Sequence, residues 1–236
     1  MTLQHQTPLH ARTIQQAIWL ARLIGTAILS LALSATPVHA QSILRDAETE
    51  ALLNDMAEPL IRAAGLRPAD VRILLIGEKS INAFVAGGQI VYIHSGLIEN
   101  ADNANQVQGV IAHELGHVAG GHVVRTDGAE RATTISLVSL LLGAVAIAAG
   151  AGEAGMGVMA AGQQAALGSY LAYSRVQEAT ADAAGARYLS AAGISGRGSV
   201  DFFMTLQNQE FRYNIPQDDE QAYGRTHPLS GDRIRF

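Results

Sequence analysis

Not one of the 236 residues is a cysteine. That excludes a disulfide scaffold, a thiolate-held metal, a cysteine nucleophile and a lipid anchor on an N-terminal cysteine. Any metal must therefore be held by histidine and carboxylate. Charge is scarce as well: 16% of the residues are charged and the net charge is −5. A mildly acidic chain has no electrostatic footprint for nucleic acid, so no nucleic-acid partner is expected. What the chain does have is apolar: 48% of it is hydrophobic, which is enough to bury a core and rules out a disordered chain.

The first forty residues contain no acidic side chain. Arg12 and Arg22 lie in or near a polar start, an apolar run spans Leu23 to Leu33, and small residues from Ser34 to Ala40 precede a cut expected between Ala40 and Gln41. This is the pattern of a signal peptide. The expected division is thus a signal peptide over 1–40 and a single domain over 41–236. An uncleaved membrane anchor competes with this reading, but the apolar run is short for a span. Taking Arg12 and Arg22 from the 16 basic residues leaves 14 against 21 acidic ones. A cysteine-free chain behind such a leader fits a bacterial periplasm, free or attached to a membrane.

Hydrophobic periodicity predicts a helix over Ser42–Leu66 that Pro59 kinks or splits. Short strands are expected at Val71–Ile76, Ile81–Val85 and Gln89–Ile93, the last two forming a hairpin around Gly87 and Gly88. Helices follow at Asn105–Val124, Tyr173–Ala192 and Val200–Gln209. Between Ala132 and Tyr173 the only charge is Glu153, and Gly150–Gly157 is expected to break that stretch into two apolar helices. The sixteen uncharged residues Thr134–Ala149 suit a buried or membrane-apposed hairpin, with a short span as the alternative.

His113-Glu114-Leu115-Gly116-His117 falls inside the helix expected from Asn105. Helical residues four apart share a face, so both imidazoles can point at one ion. Zinc takes nitrogen ligands in a tetrahedral arrangement and, in catalytic sites, leaves one position for water. Glu114 can reach that water as a general base, and zinc lowers the pKa of such a water towards neutrality. Zinc binds neutral imidazoles, so activity is expected to fall below about pH 6. A third ligand is required. His122 lies one residue short of the position where a third helical histidine would stand, about 100° off on a continuing helix, and is read as a helix-end histidine. Glu178 is the better candidate. Asp182, four residues on along the same helix face, can accept the N–H of a ligating histidine and fix its tautomer. The small neighbours Ala179, Ala181, Ala183 and Ala184 suit close packing against another helix.

His-Glu-Leu-Gly-His-Val, the later Ser174-Arg175-x-x-Glu178-x-x-Ala181-Asp182 and Thr226-His227-Pro228 together resemble the HtpX-like and CAAX-prenyl-protease-type zinc metallopeptidases, family M forty-eight. Asn82-Ala83-Phe84-Val85 and Ser95-Gly96-Leu97-Ile98 also resemble that family. The likeness runs from about Ala47 to Arg233. It implies a compact gluzincin-like α+β fold, mostly helical with a small three- or four-stranded sheet, one Zn2+ per chain and Glu178 as the third ligand. Among its members the chain looks like the small secreted ones associated with outer-membrane protein quality control, unlike the larger ones with a C-terminal helical-repeat domain and the HtpX type with several spans.

In similar peptidases a histidine and an arginine placed like His227 and Arg233 approach the active site from a C-terminal loop. They would stabilise the oxyanion, or His227 would occupy the open metal position as a latch. The strand Gln89–Ile93 would pair with an extended substrate as an edge strand, or serve as an ordinary internal one; His94 is read as a strand-end histidine. The expected activity is a zinc endopeptidase acting on unfolded or misassembled envelope proteins. The alternatives are a latched, largely non-catalytic zinc-binding chaperone or assembly factor and an integral-membrane protease.

Overall fold

A computed structural model of the chain describes residues 43–123 and 127–212. The signal peptide expected over 1–40, and His227 and Arg233, lie outside the described residues. The first helix, α1 (Ala47–Ala63), starts where the Asp46 side chain accepts hydrogen bonds from the backbone N–H groups of Glu48 and Thr49, satisfying donors that a helix start leaves open. It starts later than the periodicity suggests because the residues before it run beside the sheet: Ile43 bridges Ile76 and the Leu44 N–H donates to the Leu75 carbonyl at 2.9 Å. Pro59 does not split the helix. Burial of Leu53, Ala57, Leu60 and Ile61 on its inner face outweighs the one backbone hydrogen bond that a proline omits.

A short 3-10 turn (Pro68–Asp70) leads into three strands, β1 (Arg72–Ile76), β2 (Ala83–Ala86) and β3 (Ile90–His94). They form a mixed sheet in the order β1-β3-β2. β2 and β3 are the expected hairpin, pairing Ala83 with Ile93 and Ala86 with Ile90, and both Gly87 and Gly88 turn at positive φ, a conformation glycine adopts without steric penalty. β1 runs parallel to β3, from Arg72 opposite Ile90 to Ile76 opposite His94. The hairpin's second strand is therefore central, not an edge; among the described strands the edges are β1 and β2.

A short helix, α2 (Ser95–Asn100), follows β3, and α3 (Ala104–Gly120) follows α2. The Asn103 side chain accepts from Gln106 N–H, capping the helix start, while the Gln106 side chain accepts from the N–H of Asp102, the residue before the cap. α3 closes at Gly121, which takes a left-handed conformation with φ 65°. The helix thus stops short of the expected Val124. Beyond lie α4 (Asp127–Ala148), α5 (Gly152–Ala191) and α6 (Arg197–Arg212).

α5 is one uninterrupted helix of 40 residues, where two segments were expected. Only Gly150, at φ 89°, makes a break. Gly155 and Gly157 lie within the helix, because it holds no proline and Gly155 packs directly on the Gly143 carbonyl of α4. The core joins α1, the sheet, α3, the C-terminal part of α5 and α6, with Leu60, Val91, Ile93, Ile111 and Leu115 sealed at its centre. α4 with the first half of α5 forms the expected helical hairpin, but it is not buried: between Thr134 and Ala149 only Ser139 and Gly143 are shielded from solvent. α4 is long and apolar enough to cross a membrane by length and composition.

Candidate metal centre

α3 lies in the core along almost its whole length, so the two histidines it carries are buried rather than displayed on a surface. Glu114 between them is buried as well, at 2% exposure. The opposing wall is α5. A Cβ on Gly116 would sit 2.6 Å from the Ala181 carbonyl oxygen, and one on Gly185 would sit 3.1 Å from the backbone of Ala112 and His113. α3 and α5 therefore cross almost backbone to backbone through Gly116, Ala181 and Gly185. Of the four alanines singled out from the sequence, Ala181 lies in this contact and Ala184 is buried, whereas Ala179 and Ala183 are exposed.

That crossing carries Glu178 to the histidines. His113 Nε2 lies 3.0 Å from His117 Nε2 and 3.4 Å from Glu178 Oε2, and His117 Nε2 lies 3.2 Å from Glu178 Oε1. Three ligands about 2.05 Å from a tetrahedral zinc stand about 3.3 Å apart. The two imidazole nitrogens stand near that edge length and Glu178 presents one carboxylate oxygen to each ring; the donor set, two imidazoles and one carboxylate with ligand atoms within 4.8 Å of one another, is one that zinc accepts. The residues present thus fit a zinc ion.

The other ring nitrogens are held from behind. Asp182 Oδ1 lies 2.7 Å from His113 Nδ1, the contact expected from the i, i+4 spacing to Glu178. His117 Nδ1 lies 2.9 Å from His122 Nδ1. Reasoning from the sequence set His122 aside by extending α3 through it; the readable signal was the Gly120-Gly121 pair, which ends the helix and turns the chain back.

His94, at the end of β3, is buried, with Nδ1 2.8 Å from Ser80 Oγ and its ring edge-on to Phe84. Burial lowers its pKa from the ordinary 6.5, against an upward pull from Glu78 and the Ser80 backbone. Of the two edge strands among the described residues, β2 is the one that packs against α3.

Residues 45–236 match the family model described as peptidase family M48. The chain is similar to the putative beta-barrel assembly-enhancing protease of Vibrio cholerae serotype O1, 28% identical over 82% of this chain and 39% of that protein. It is similar to the beta-barrel assembly-enhancing protease of Escherichia coli (strain K12), 27% identical over 77% of this chain and 37% of the relative. With the metalloprotease LoiP of the same organism it shares 31% identity over 72% of this chain and 61% of the relative. The chain spans about two fifths of the length of the first two.

Proposed function

The chain belongs to peptidase family M48, and from that premise we propose that it is a zinc-dependent endopeptidase with His113, His117 and Glu178 as metal ligands. The observation that carries this reading is the convergence of the three buried side chains, with ligand atoms within 4.8 Å of one another. When bound, zinc supplies Lewis acidity, lowering the pKa of a water and polarising a carbonyl. The Glu114 carboxylate, one residue from His113 on the same buried helix, takes the proton from the attacking water and hands it to the leaving amine nitrogen. Asp182 accepts the His113 Nδ1–H and keeps Nε2 turned to the metal. The resemblance to similar peptidases gives His227 and Arg233 a part in the reaction, as donors to the oxyanion or, for His227, as a latch on the open metal position.

The relatives' names, beta-barrel assembly-enhancing protease, support unfolded or misassembled envelope proteins as substrates, and the signal-peptide pattern over 1–40 supports the periplasm as the place of action. The α4–α5 hairpin supports contact with a membrane there. Leu137, Val138, Leu140, Leu141, Leu142 and Val145 are all exposed. At 100° per residue they cover well over a third of the circumference of α4, wider than the stripe one packed partner helix would hide.

Metal analysis and casein cleavage on wild type and Glu114→Gln test the enzyme. One zinc per chain in both, with cleavage reduced about 10²–10⁴-fold in the variant, is expected. Wild type that carries no stoichiometric zinc, or that cleaves nothing, sinks the proposal. Unchanged cleavage by His227→Ala would remove His227 from the mechanism. Sedimentation with phospholipid vesicles tests the hairpin: wild type should pellet with them and Leu141→Glu should stay in solution.

A further inference from the structure

Gly120, Gly121 and His122 form a device whose parts have separate physical reasons. Gly121 ends α3 in the left-handed region, φ 65°, and the turn is closed by the His122 N–H donating to the His117 carbonyl at 3.1 Å. The reversal brings the His122 ring back along the helix it has just left. There it lies 5.0 Å from the His117 ring, nearly perpendicular to it, with Nδ1 2.9 Å from His117 Nδ1. Gly120 makes room for it: a Cβ on Gly120 would fall 2.5 Å from His122 Nε2. One glycine turns the chain and the other leaves space for the ring.

We propose that His122 is a positioning residue for the metal centre, accepting a hydrogen bond from His117 Nδ1 and so holding the His117 Nε2 lone pair towards His113 and Glu178. This rests on the reading of those three residues as zinc ligands. The proton bookkeeping admits one arrangement. A neutral imidazole carries a single N–H; if His117 gives its Nε2 lone pair to a metal, its proton is on Nδ1. His122 Nδ1 must then be the acceptor, with the His122 proton on Nε2. His122 does for His117 what Asp182 does for His113: each ligating ring is held at its Nδ1, one by a carboxylate and one by a neutral ring. The same contact places the His122 Nδ1 on the side of His117 away from Nε2, so His122 is not itself a ligand of that ion.

The test is zinc affinity of the full chain, read by competition with a chromophoric chelator, together with the visible spectrum of the cobalt-loaded protein and the melting temperature of the metal-free protein. His122→Phe keeps a ring but loses the acceptor, and should bind zinc about 10–100-fold more weakly and alter the cobalt bands while the metal-free melting temperature stays near wild type. His122→Asn, whose Oδ1 can take the place of Nδ1, should recover much of the affinity. Gly120→Ala pushes aside the end of a flexible side chain rather than the helix, so it should weaken zinc binding with His122 still present, and the double variant Gly120→Ala/His122→Phe should bind no worse than His122→Phe. Wild-type affinity in His122→Phe, or equal weakness in the Phe and Asn variants, overturns the proposal while leaving the zinc site standing. Wild type that takes up no zinc removes the function itself.

Discussion

The two halves of α5 use the same packing device in opposite surroundings. Towards its C-terminus the helix crosses α3 through Gly116, Ala181 and Gly185, inside a core that seals Glu178, His113 and Glu114 from water. Towards its N-terminus it pairs with α4 through Gly143 against Gly155 and Ser139 against Gly162, contacts equally close, yet the outer face of that pair is bare leucine and valine. Small residues let backbones approach in both places, so approach alone does not make a core. What differs is the second layer. The sheet and α1 cover α3 from behind, while no described element covers the side of α4 that faces away from α5. The buried half can therefore hold polar groups in a fixed array, and the bare half presents an exposed apolar surface.

The contrast is most exposed to failure in the core. Ile111 is fully buried on α3, and Ile111→Ala should destabilise by about 2–5 kcal/mol in a denaturant titration. A loss below about 1 kcal/mol would mean that α3 is not held from both sides as described. Next in size is the crossing itself. Gly116→Ala places a methyl against the Ala181 backbone and should cost about 1–3 kcal/mol, with zinc affinity falling because α5 moves and takes Glu178 with it. Loss of stability without loss of affinity would separate the crossing from the metal site.

Neither element was equally visible beforehand. The His113–His117 pair follows from helical periodicity, because residues four apart share a face whatever the rest of the chain does. Glu178 and Asp182 had the same local logic, and the alanines around them signalled a close neighbour. Which alanines face it, and that Gly116 is the opposing contact, depends on a helix crossing that no local pattern encodes. Whether β3 is an edge or an internal strand stayed open for the same reason: a hairpin reads from its turn, whereas the parallel partner β1, which makes β3 internal, arrives from elsewhere in the chain.

A smaller effect comes from acid. Burial holds the His94 pKa below its ordinary 6.5, so folding favours the neutral ring. Its contribution to stability is complete above about pH 6.5 and is lost as pH falls from there towards the lowered folded-state value. Melting temperatures of the metal-free protein between pH 7.5 and 5 should fall less steeply for His94→Gln than for wild type; parallel curves would show that His94 is not the group being titrated. Smallest of all is the bare half. Leu141 is 66% exposed, and Leu141→Ala should change stability in water by less than about 0.5 kcal/mol. A loss like that of Ile111→Ala would mean that α4 is covered in solution, by a second copy or another part of the chain.

From the sequence alone came everything set by neighbours along the chain: the turn of the β2–β3 hairpin, the imidazole pair with its glutamate, and the charge-free run of α4. Folding in three dimensions decided that position 178 meets 113 and 117, that β3 is central, that His122 turns back on His117, and that the apolar run faces outward. The reason is physical. Periodicity reports the geometry of one element, with its 3.6- or 2-residue repeat, while the meeting of two elements depends on which backbones can touch, and here that rests on a few positions with no side chain to keep them apart.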